Sequence, residues 1–285
     1  MKNVIITSAD LKYGDFLINH WLKSLKTNVN LKNIDIAVVD YGLNSSQKGK
    51  LIKEGAILIK GTSKGNIGTA RFIDMGNFLK KNLYDQILSM DGGDIIFQED
   101  ISSLFNTDKN YYRAVGHDLQ NLFLESFIRN NFDSEVEKEI WKKLKSIPIE
   151  KTINAGVILA PYDKFTALCE QIDKLVINRS SYGPDQIVIN YVVHKDGIKF
   201  LEKKYNFMVG NKEKFIVKDG VFYDADLKKV AVVHNPGHLD TRVIKDFGYG
   251  ENYNKKINLF MFYSRRFLYT YITPIIKKMI LFINQ

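Results

Sequence analysis

Tyr84-Asp-Gln-Ile-Leu-Ser-Met90 runs directly into Asp91-Gly-Gly-Asp94 and then into Ile95-Ile-Phe97. The first segment is a short, largely apolar run and reads as a buried strand. Two adjacent glycines end it in a turn, and Ile95-Ile-Phe97 resumes as a short second strand. Asp91 and Asp94 thus offer two carboxylates with almost no side-chain bulk between them. Such a pair suits a hard divalent cation that must also touch a ligand's phosphates. A plain glycine turn between strands, for which Asp-Gly is a common sequence, stays open from these residues alone.

On the N-terminal side, Asn3-Val-Ile-Ile-Thr-Ser8 reads as a buried strand, followed by a helix with Leu17, Trp21 and Leu25 on its apolar face. A second strand, Ile34–Val39, ends at Asp40. Leu51-Ile52 and Ala56–Ile59 suggest a short helix and a third strand, and Phe72, Met75, Leu79 and Leu83 mark another helical stripe. Downstream, residues 119–146 are helical by pattern, with Val136, Ile140 and Leu144 spaced by four. Ile153–Leu159 is strand-like. Beyond Pro161, the stripe Phe165, Leu168, Cys169, Ile172, Leu175 and Val176 predicts a helix in which Cys169 is core rather than nucleophile. Gly183-Pro184 opens a helix over Asp185–Val193, with Pro at a favourable first position. Lys229–His234 is the last clear strand. Strand alternating with helix predicts an α/β fold. Residues 1–250 read as a single domain and 251–285 as a basic, aromatic C-terminal tail.

The composition supports this reading. The chain has 285 residues, 45% hydrophobic and 26% charged, with only 5 prolines, so it is able to bury a sizeable core, and wholesale disorder is excluded. The single cysteine, Cys169, excludes an internal disulfide and a multi-cysteine zinc site, which fits a cytosolic address. The apolar run Val4–Ile6 is short of the roughly 7–15 residues of a secretion signal, so export by that route is not expected. Net charge is +9, and six of those charges lie beyond residue 251: Lys255, Lys256, Arg265, Arg266, Lys277 and Lys278, with no acid among them. The body is close to neutral, which disfavours nucleic acid as a partner.

In an open α/β sheet, ligands bind beyond the carboxyl ends of the strands. Ser8-Ala9-Asp10 follows the first strand, Asp91–Asp94 the central one, and His234-Asn-Pro-Gly237 the last. His234 is a candidate third ligand to a cation, and a purely structural strand-end histidine stays open. Other chemistries find no motif: there is no P-loop lysine pattern, no Gly-x-Ser-x-Gly elbow and no His-Glu-x-x-His. Gly61-Thr-Ser-Lys-Gly-Asn-Ile-Gly68 lacks the spacing of a dinucleotide fingerprint and reads as a mobile loop.

Taken in order, these segments resemble glycosyltransferase family 8, retaining enzymes of the GT-A fold that use a nucleotide sugar. Ser8-Ala9-Asp10-Leu-Lys-Tyr13 is similar to the family's first nucleotide-binding segment, and Thr69-Ala-Arg71-Phe72 to its donor-binding arginine segment. Asp91-Gly-Gly-Asp94 resembles the family's Asp-x-Asp, one residue longer. Ile153-Asn154-Ala-Gly156-Val resembles its Phe-Asn-Ser-Gly-Val strand, Gly183-Pro-Asp185-Gln186…Asn190 its Asp-Gln…Asn helix start, and Val232-Val-His234-Asn-Pro-Gly237 its closing Ile-His-x-x-Gly. The usual Lys-Pro-Trp after that last motif is replaced by His238-Leu-Asp-Thr-Arg242, which leaves Arg242 or Lys245 as substitutes toward the diphosphate.

The resemblance implies a Rossmann-like nucleotide-diphospho-sugar transferase domain with a mixed central sheet. It implies that Asp91, Asp94 and His234 hold Mn(II) or Mg(II), and that Ser8, Ala9, Asp10, Tyr13, Arg71, Asp91 and Gly237 contact a UDP-sugar, Tyr13 by stacking on the base. It assigns Asp185 to the donor sugar's hydroxyls, places Gln186 near the anomeric carbon with its carbonyl facing developing positive charge, and lines the pocket with Asn154. A helix N-terminal carboxylate answering the dipole is the alternative for Asp185. The implied activity moves a hexose of glucose or galactose type onto a bacterial cell-surface glycan or glycolipid. The alternative is a catalytically inactive sugar-nucleotide-binding protein of the same fold. The tail's longest charge-free stretch, Phe267–Ile276, contains Pro274 and is far short of the about 20 residues that span a bilayer. Its basic pairs among aromatics suit attachment to the inner face of the cell membrane. Packing on the domain or on a second subunit, giving a homo-oligomer, is the alternative.

Overall fold

The computed structural model describes residues 2–119, 127–209, 214–236 and positions 264, 268 and 272. In chain order its strands are β1 (Asn3–Ala9), β2 (Ile34–Asp40), β3 (Ile57–Lys60), β4 (Gln86–Met90), β5 (Ile95–Phe97), β6 (Tyr112–His117), β7 (Thr152–Ile153), β8 (Val157–Pro161), β9 (Ile198–Leu201), β10 (Phe207–Met208), β11 (Phe215–Lys218), β12 (Val221–Asp224) and β13 (Val232–His234). They fall in two compact units. The first comprises residues 1–15, 30–92 and 102–203, and the second residues 16–29, 93–101 and 204 onward.

The first unit is built on one sheet in the order β3-β2-β1-β4-β8-β6-β7, with β9 paired to β6. The strands β3, β2, β1 and β4 are mutually parallel, and β8 runs antiparallel between β4 and β6. Consecutive residues Val4, Ile5 and Ile6 are all fully buried. Neighbouring residues on a strand point to opposite faces, so both faces of the sheet are covered, as a parallel sheet requires. The helices that belong to this unit include Ser45–Lys53, Ile67–Leu79, Ser134–Lys145, Tyr162–Leu175 and Pro184–Asp196. Ile67–Leu79 and Tyr162–Leu175 approach so closely that a Cβ built on Gly76 would sit 2.8 Å from Cys169 Cβ. Cys169 is buried, and burial pushes its thiol pKa well up, in keeping with the expected core role.

The second unit contains a three-stranded sheet, β10-β13-β5, and the hairpin of β11 and β12. The helical segment Leu17–Leu22 has the wider π turn and continues as an α-helix over Lys23–Asn28, with Leu17, Trp21 and Leu25 fully buried as their spacing predicts. Ser24 Oγ accepts from Phe97 N at 3.0 Å and Asn28 Nδ2 donates to Phe97 O at 2.9 Å, so this helix satisfies the backbone of β5 with side chains. On the next residue, the Gln98 side chain donates to Phe222 O at 3.1 Å and Val230 O at 2.7 Å, and accepts from Phe222 N at 2.9 Å.

Several expectations need correction. Leu83 does not extend the helical stripe: the helix ends at Leu79, where Asn82 Nδ2 caps the Phe78 carbonyl at 2.9 Å, and Leu83 is 69% exposed. The helix expected over 119–146 is helical at 127–128 and over Ser134–Lys145, with a turn between them; residues 120–126 lie outside the described residues. The strand expected over Ile153–Leu159 is broken into β7 and β8, because Asn154 Oδ1 accepts from Gly156 N at 2.8 Å and bends the chain. The last strand is only β13, and it belongs to the small sheet rather than the large one. The Gly61–Gly68 loop, expected to be mobile, is tied down: Thr62 and Ser63 bond to Asp74, and Asn66 N donates to Arg179 O at 2.7 Å. The short strands β6, β9, β10, β11 and β12 were not anticipated. The tail expected over 251–285 lies outside the described residues except for Ser264, Leu268 and Ile272. No helix among the described residues is long and apolar enough to cross a membrane.

Candidate functional site

The first unit assembles its candidate residues at one edge of the sheet. β1 and β4 are parallel, with Ile6 opposite Ser89. Two residues further on lie Ser8 and Asp91, so both segments leave the sheet at the same end. On the other side of β4, Met90 is opposite Val157 and Asp91 N donates to Gly156 O at 2.9 Å. The Asn154–Gly156 turn is thereby fixed beside Asp91. The bulk-free passage Gly92-Gly93 then carries the chain into the second unit.

Asp91 is ion-paired with Arg71, a buried guanidinium on the helix Ile67–Leu79. Arg71 also lies over the Phe72 ring, 5.0 Å from its centroid. Asp185, in the first turn of the helix Pro184–Asp196, shares the electrostatic field of both groups. Burial raises its carboxyl pKa above the usual Asp range; Arg71 opposes that rise and Asp91 adds to it. Gly68 sits directly alongside: a Cβ there would lie 3.5 Å from both Asp185 carboxylate oxygens. Arg71 is thus ion-paired with Asp91 and acts electrostatically on Asp185, as Asp91 does with the opposite sign.

Gln186 follows Asp185 in the same helix turn, and its amide bonds backbone. Its Oε1 accepts from Ala155 N at 2.7 Å and its Nε2 donates to Ile153 O. Asn190, one turn on, bonds Ile153 through both its amide ends, each at 2.9 Å. The two amides clamp the Ile153–Ala155 strand end onto the helix. The carbonyl expected to face an anomeric carbon is engaged with backbone.

Ser8 and Ala9 are buried at the end of β1, and Asp10 and Tyr13 are half-buried beyond it. Asp10 Oδ1 accepts from Tyr13 N at 3.1 Å, which fixes the short segment that presents the tyrosine ring. Lys12 Nζ lies 4.7 Å from the centroid of that ring. Gly237, Arg242 and Lys245 lie outside the described residues.

Within the second unit, Asp94 and His234 meet because β5 and β13 pair antiparallel with Ile95 opposite His234. Both are buried, at 4% and 0% exposure, and His234 Nε2 stands 3.5 Å from Asp94 Oδ1. Asn235 N donates to Asp94 O at 3.0 Å and closes the ladder. The other ring nitrogen, Nδ1, lies 2.7 Å from Asn206 Oδ1. A metal-binding histidine usually donates its other ring N–H to an acceptor, the place that Asn206 Oδ1 takes here. Ligand atoms about 2.0–2.2 Å from a common ion lie roughly 3 Å apart, close to the spacing of His234 Nε2 and Asp94 Oδ1. Asp94 and His234 offer an oxygen and a nitrogen donor able to hold a divalent ion, and Asp91 lies three residues before Asp94 in the chain.

The family model for glycosyl transferase family 8 matches residues 18–241, most of the chain. The chain belongs to glycosyltransferase family 8. Its fold is similar to that of the bifunctional glycosyltransferase WbbM in its apo structure, with a TM-score of 0.58 and 16% identity over 93% of this chain and 51% of that one. It is also similar to the galactosyltransferase LgtC in complex with donor and acceptor sugar analogues, with a TM-score of 0.54 and 18% identity over 83% of this chain and 88% of LgtC. The chain thus spans about half the length of the WbbM chain. Curated protein sequences give no match. A mixed α/β GT-A fold and a role as a glycosyltransferase follow from the family and the fold together.

Three residues of this family member escaped the sequence reading. Asn206 and Gln98 sit in short, aperiodic segments with no motif around them. Asp74 lies on the helix Ile67–Leu79 and accepts from Tyr41 Oη at 2.6 Å, Thr62 Oγ1 at 2.9 Å and Ser63 Oγ at 3.0 Å. An acidic residue on the otherwise apolar part of that helix was the one available signal for it.

Proposed function

We propose that the chain is a retaining hexosyltransferase that moves glucose or galactose from a UDP-sugar to a bacterial cell-surface glycan or glycolipid. The observation that carries this reading is the buried Asp94–His234 pair, with Nε2 and Oδ1 3.5 Å apart, in a family 8 chain whose Asp91 is only three residues from Asp94. LgtC, of similar fold, has been captured with donor and acceptor sugar analogues, which supports the same division of substrates here.

When bound, a divalent metal supplies charge neutralisation to the leaving diphosphate as the anomeric C–O bond breaks. Asp91, Asp94 and His234 would hold it. The remaining work belongs to the protein. Tyr13 stacks on the base, with Ser8, Ala9 and Asp10 beside it. Asp185 accepts hydrogen bonds from the sugar hydroxyls in a site where burial strengthens them. Arg71 pairs with Asp91 and offsets part of the repulsion between Asp91 and Asp185. Gln186 and Asn190 hold the Ile153–Ala155 strand end, and Asn154, whose Oδ1 is used by the turn, offers its amide to the ligand. The basic, aromatic tail places the enzyme on the cytoplasmic face of the membrane, near a lipid-linked acceptor.

The test is hydrolysis of UDP-glucose and UDP-galactose by the full-length chain with and without Mn(II). Turnover should require the metal and vanish in Asp94→Ala with an unchanged circular dichroism spectrum; metal-independent turnover, or full activity in that variant, would overturn the metal assignment. Deleting residues 252–285 should move the protein from the membrane to the soluble fraction, and a full-length chain that never pellets with membranes removes the surface attachment. A second reading, a sugar-nucleotide-binding protein without turnover, draws on the Gln186 carbonyl being engaged with Ala155. Tight UDP-sugar binding with no hydrolysis or transfer would select it.

A further inference from the structure

Asn206 is fully buried at the end of a short 3-10 turn, Lys203–Asn206. The next two residues form β10, which pairs parallel with β13 so that Met208 is opposite His234. The register brings the Asn206 amide to the His234 ring edge, where Oδ1 lies 2.7 Å from Nδ1. Among the described residues nothing accepts a hydrogen bond from Asn206 Nδ2, although it is shielded from solvent. An asparagine kept at a fully buried position, with half of its amide unused, fits poorly as packing, because an apolar side chain would carry no such penalty. What distinguishes it from leucine is the oxygen that it presents to the imidazole.

We infer that Asn206 is a positioning residue that holds His234 in the Nδ1–H tautomer and so turns the Nε2 lone pair toward Asp94. A carbonyl oxygen only accepts, so the nitrogen beside it must carry the proton. In neutral imidazole the other nitrogen is then the acceptor and ligand. The opposite tautomer would place a proton on Nε2, between the ring and the Asp94 carboxylate, where it would give a hydrogen bond and exclude a cation. Asn206 thus makes the difference between a His–Asp hydrogen bond and a pair of metal ligands. The consequence for metal affinity rests on the metal reading above, whereas the tautomer itself can be read without any metal.

The experiment uses the full-length chain labelled with 15N-histidine and free of metal, with His234 assigned by loss of its signals in His234→Gln. Long-range 1H–15N spectra should show His234 protonated on Nδ1 in the wild type and in Asn206→Asp, and shifted toward Nε2–H in Asn206→Leu. Mn(II) titration followed by electron paramagnetic resonance should show affinity weakened about 10–100-fold in Asn206→Leu, the usual effect of losing such a partner, and retained in Asn206→Asp. An Nε2–H wild type, or equal Mn(II) affinity in Asn206→Leu, overturns the inference. Should Asn206→Leu fail to fold, Asn206→Asp still decides: a carboxylate can only accept, so a tautomer differing from wild type would show that the amide nitrogen, not the oxygen, faces the ring. A wild type that binds no Mn(II) overturns the metal reading, while its NMR spectrum independently decides the role of Asn206.

Discussion

Replacing Gln98 by Leu tests whether the second unit is held together by one buried amide. Gln98 is 4% exposed and bridges the end of β5 to Phe222 on β12 and to Val230, both fully buried. Leucine occupies a similar volume but leaves Phe222 N–H and the Val230 carbonyl without their Gln98 partner. Phe222 O is spared, because Val230 N still donates to it at 3.0 Å. At about 1–3 kcal/mol for each buried group left unsatisfied, the expected loss is about 2–6 kcal/mol. That is a large part of the roughly 5–15 kcal/mol by which a domain is stable. Trp21 lies 5.4 Å edge-on to Phe97 on β5, and the only other tryptophan is Trp141, in the first unit. Urea unfolding followed by fluorescence in a Trp141→Phe background therefore reports on the second unit. A loss below about 1 kcal/mol would refute the reasoning. Gln98→Glu supplies a check by pH. Its carboxyl would be buried against two backbone carbonyls, so its folded pKa would rise above the unfolded value of about 4.3. The folded state then holds the proton more tightly, and the variant's deficit is smallest in acid and grows as pH rises through the folded value.

Other perturbations probe the first unit. Tyr13→Ala should weaken UDP binding by about 1–3 kcal/mol, the worth of stacking one base on an aromatic ring, as measured by calorimetry; unchanged affinity would return Tyr13 to a packing role. Asp74→Asn removes a charged acceptor from Tyr41, Thr62 and Ser63, and should speed amide exchange at Thr62 and Ser63 while costing about 1.5–3 kcal/mol for each charge-assisted bond lost. Exchange at the wild-type rate would mean the loop is held by other contacts. Burial, with the Asp35 charge and its hydrogen bond, pushes the Tyr84 hydroxyl from 10.0 up to about 12. Its stabilising share is present below pH 10.0 and is lost as pH rises toward 12. Melting temperatures across that range should fall less steeply in Tyr84→Phe, and parallel curves would contradict it.

The alternation of strand and helix was legible because burial on both faces leaves unbroken apolar runs such as Val4–Ile6, and because helices such as Tyr162–Leu175 repeat apolar residues by three and four. The break at Asn154 was hidden by Ile153 before it and the apolar run Ala155–Ala160 after it. It depends on a side-chain bond to Gly156 that no periodicity records. Among the described residues the strands of the second unit are two to four residues long, too short for a pattern, and draw their order from partners distant in sequence.

The candidate chemistry divides in the same way. The amino-acid order alone picked out Asp91, Asp94, Asp185 and His234 as the groups worth watching, because they stand at a glycine turn, a helix start and a strand end in an order along the chain that resembles one family. Tertiary structure decided what each of them faces: Arg71 against Asp91, Ala155 against the Gln186 carbonyl, and Asn206 against His234. Residue type sets the donors and acceptors a side chain owns, whereas the partner that uses them is chosen by strand register. Met208 stands opposite His234, and the asparagine two residues before it supplies the oxygen that orients the ring.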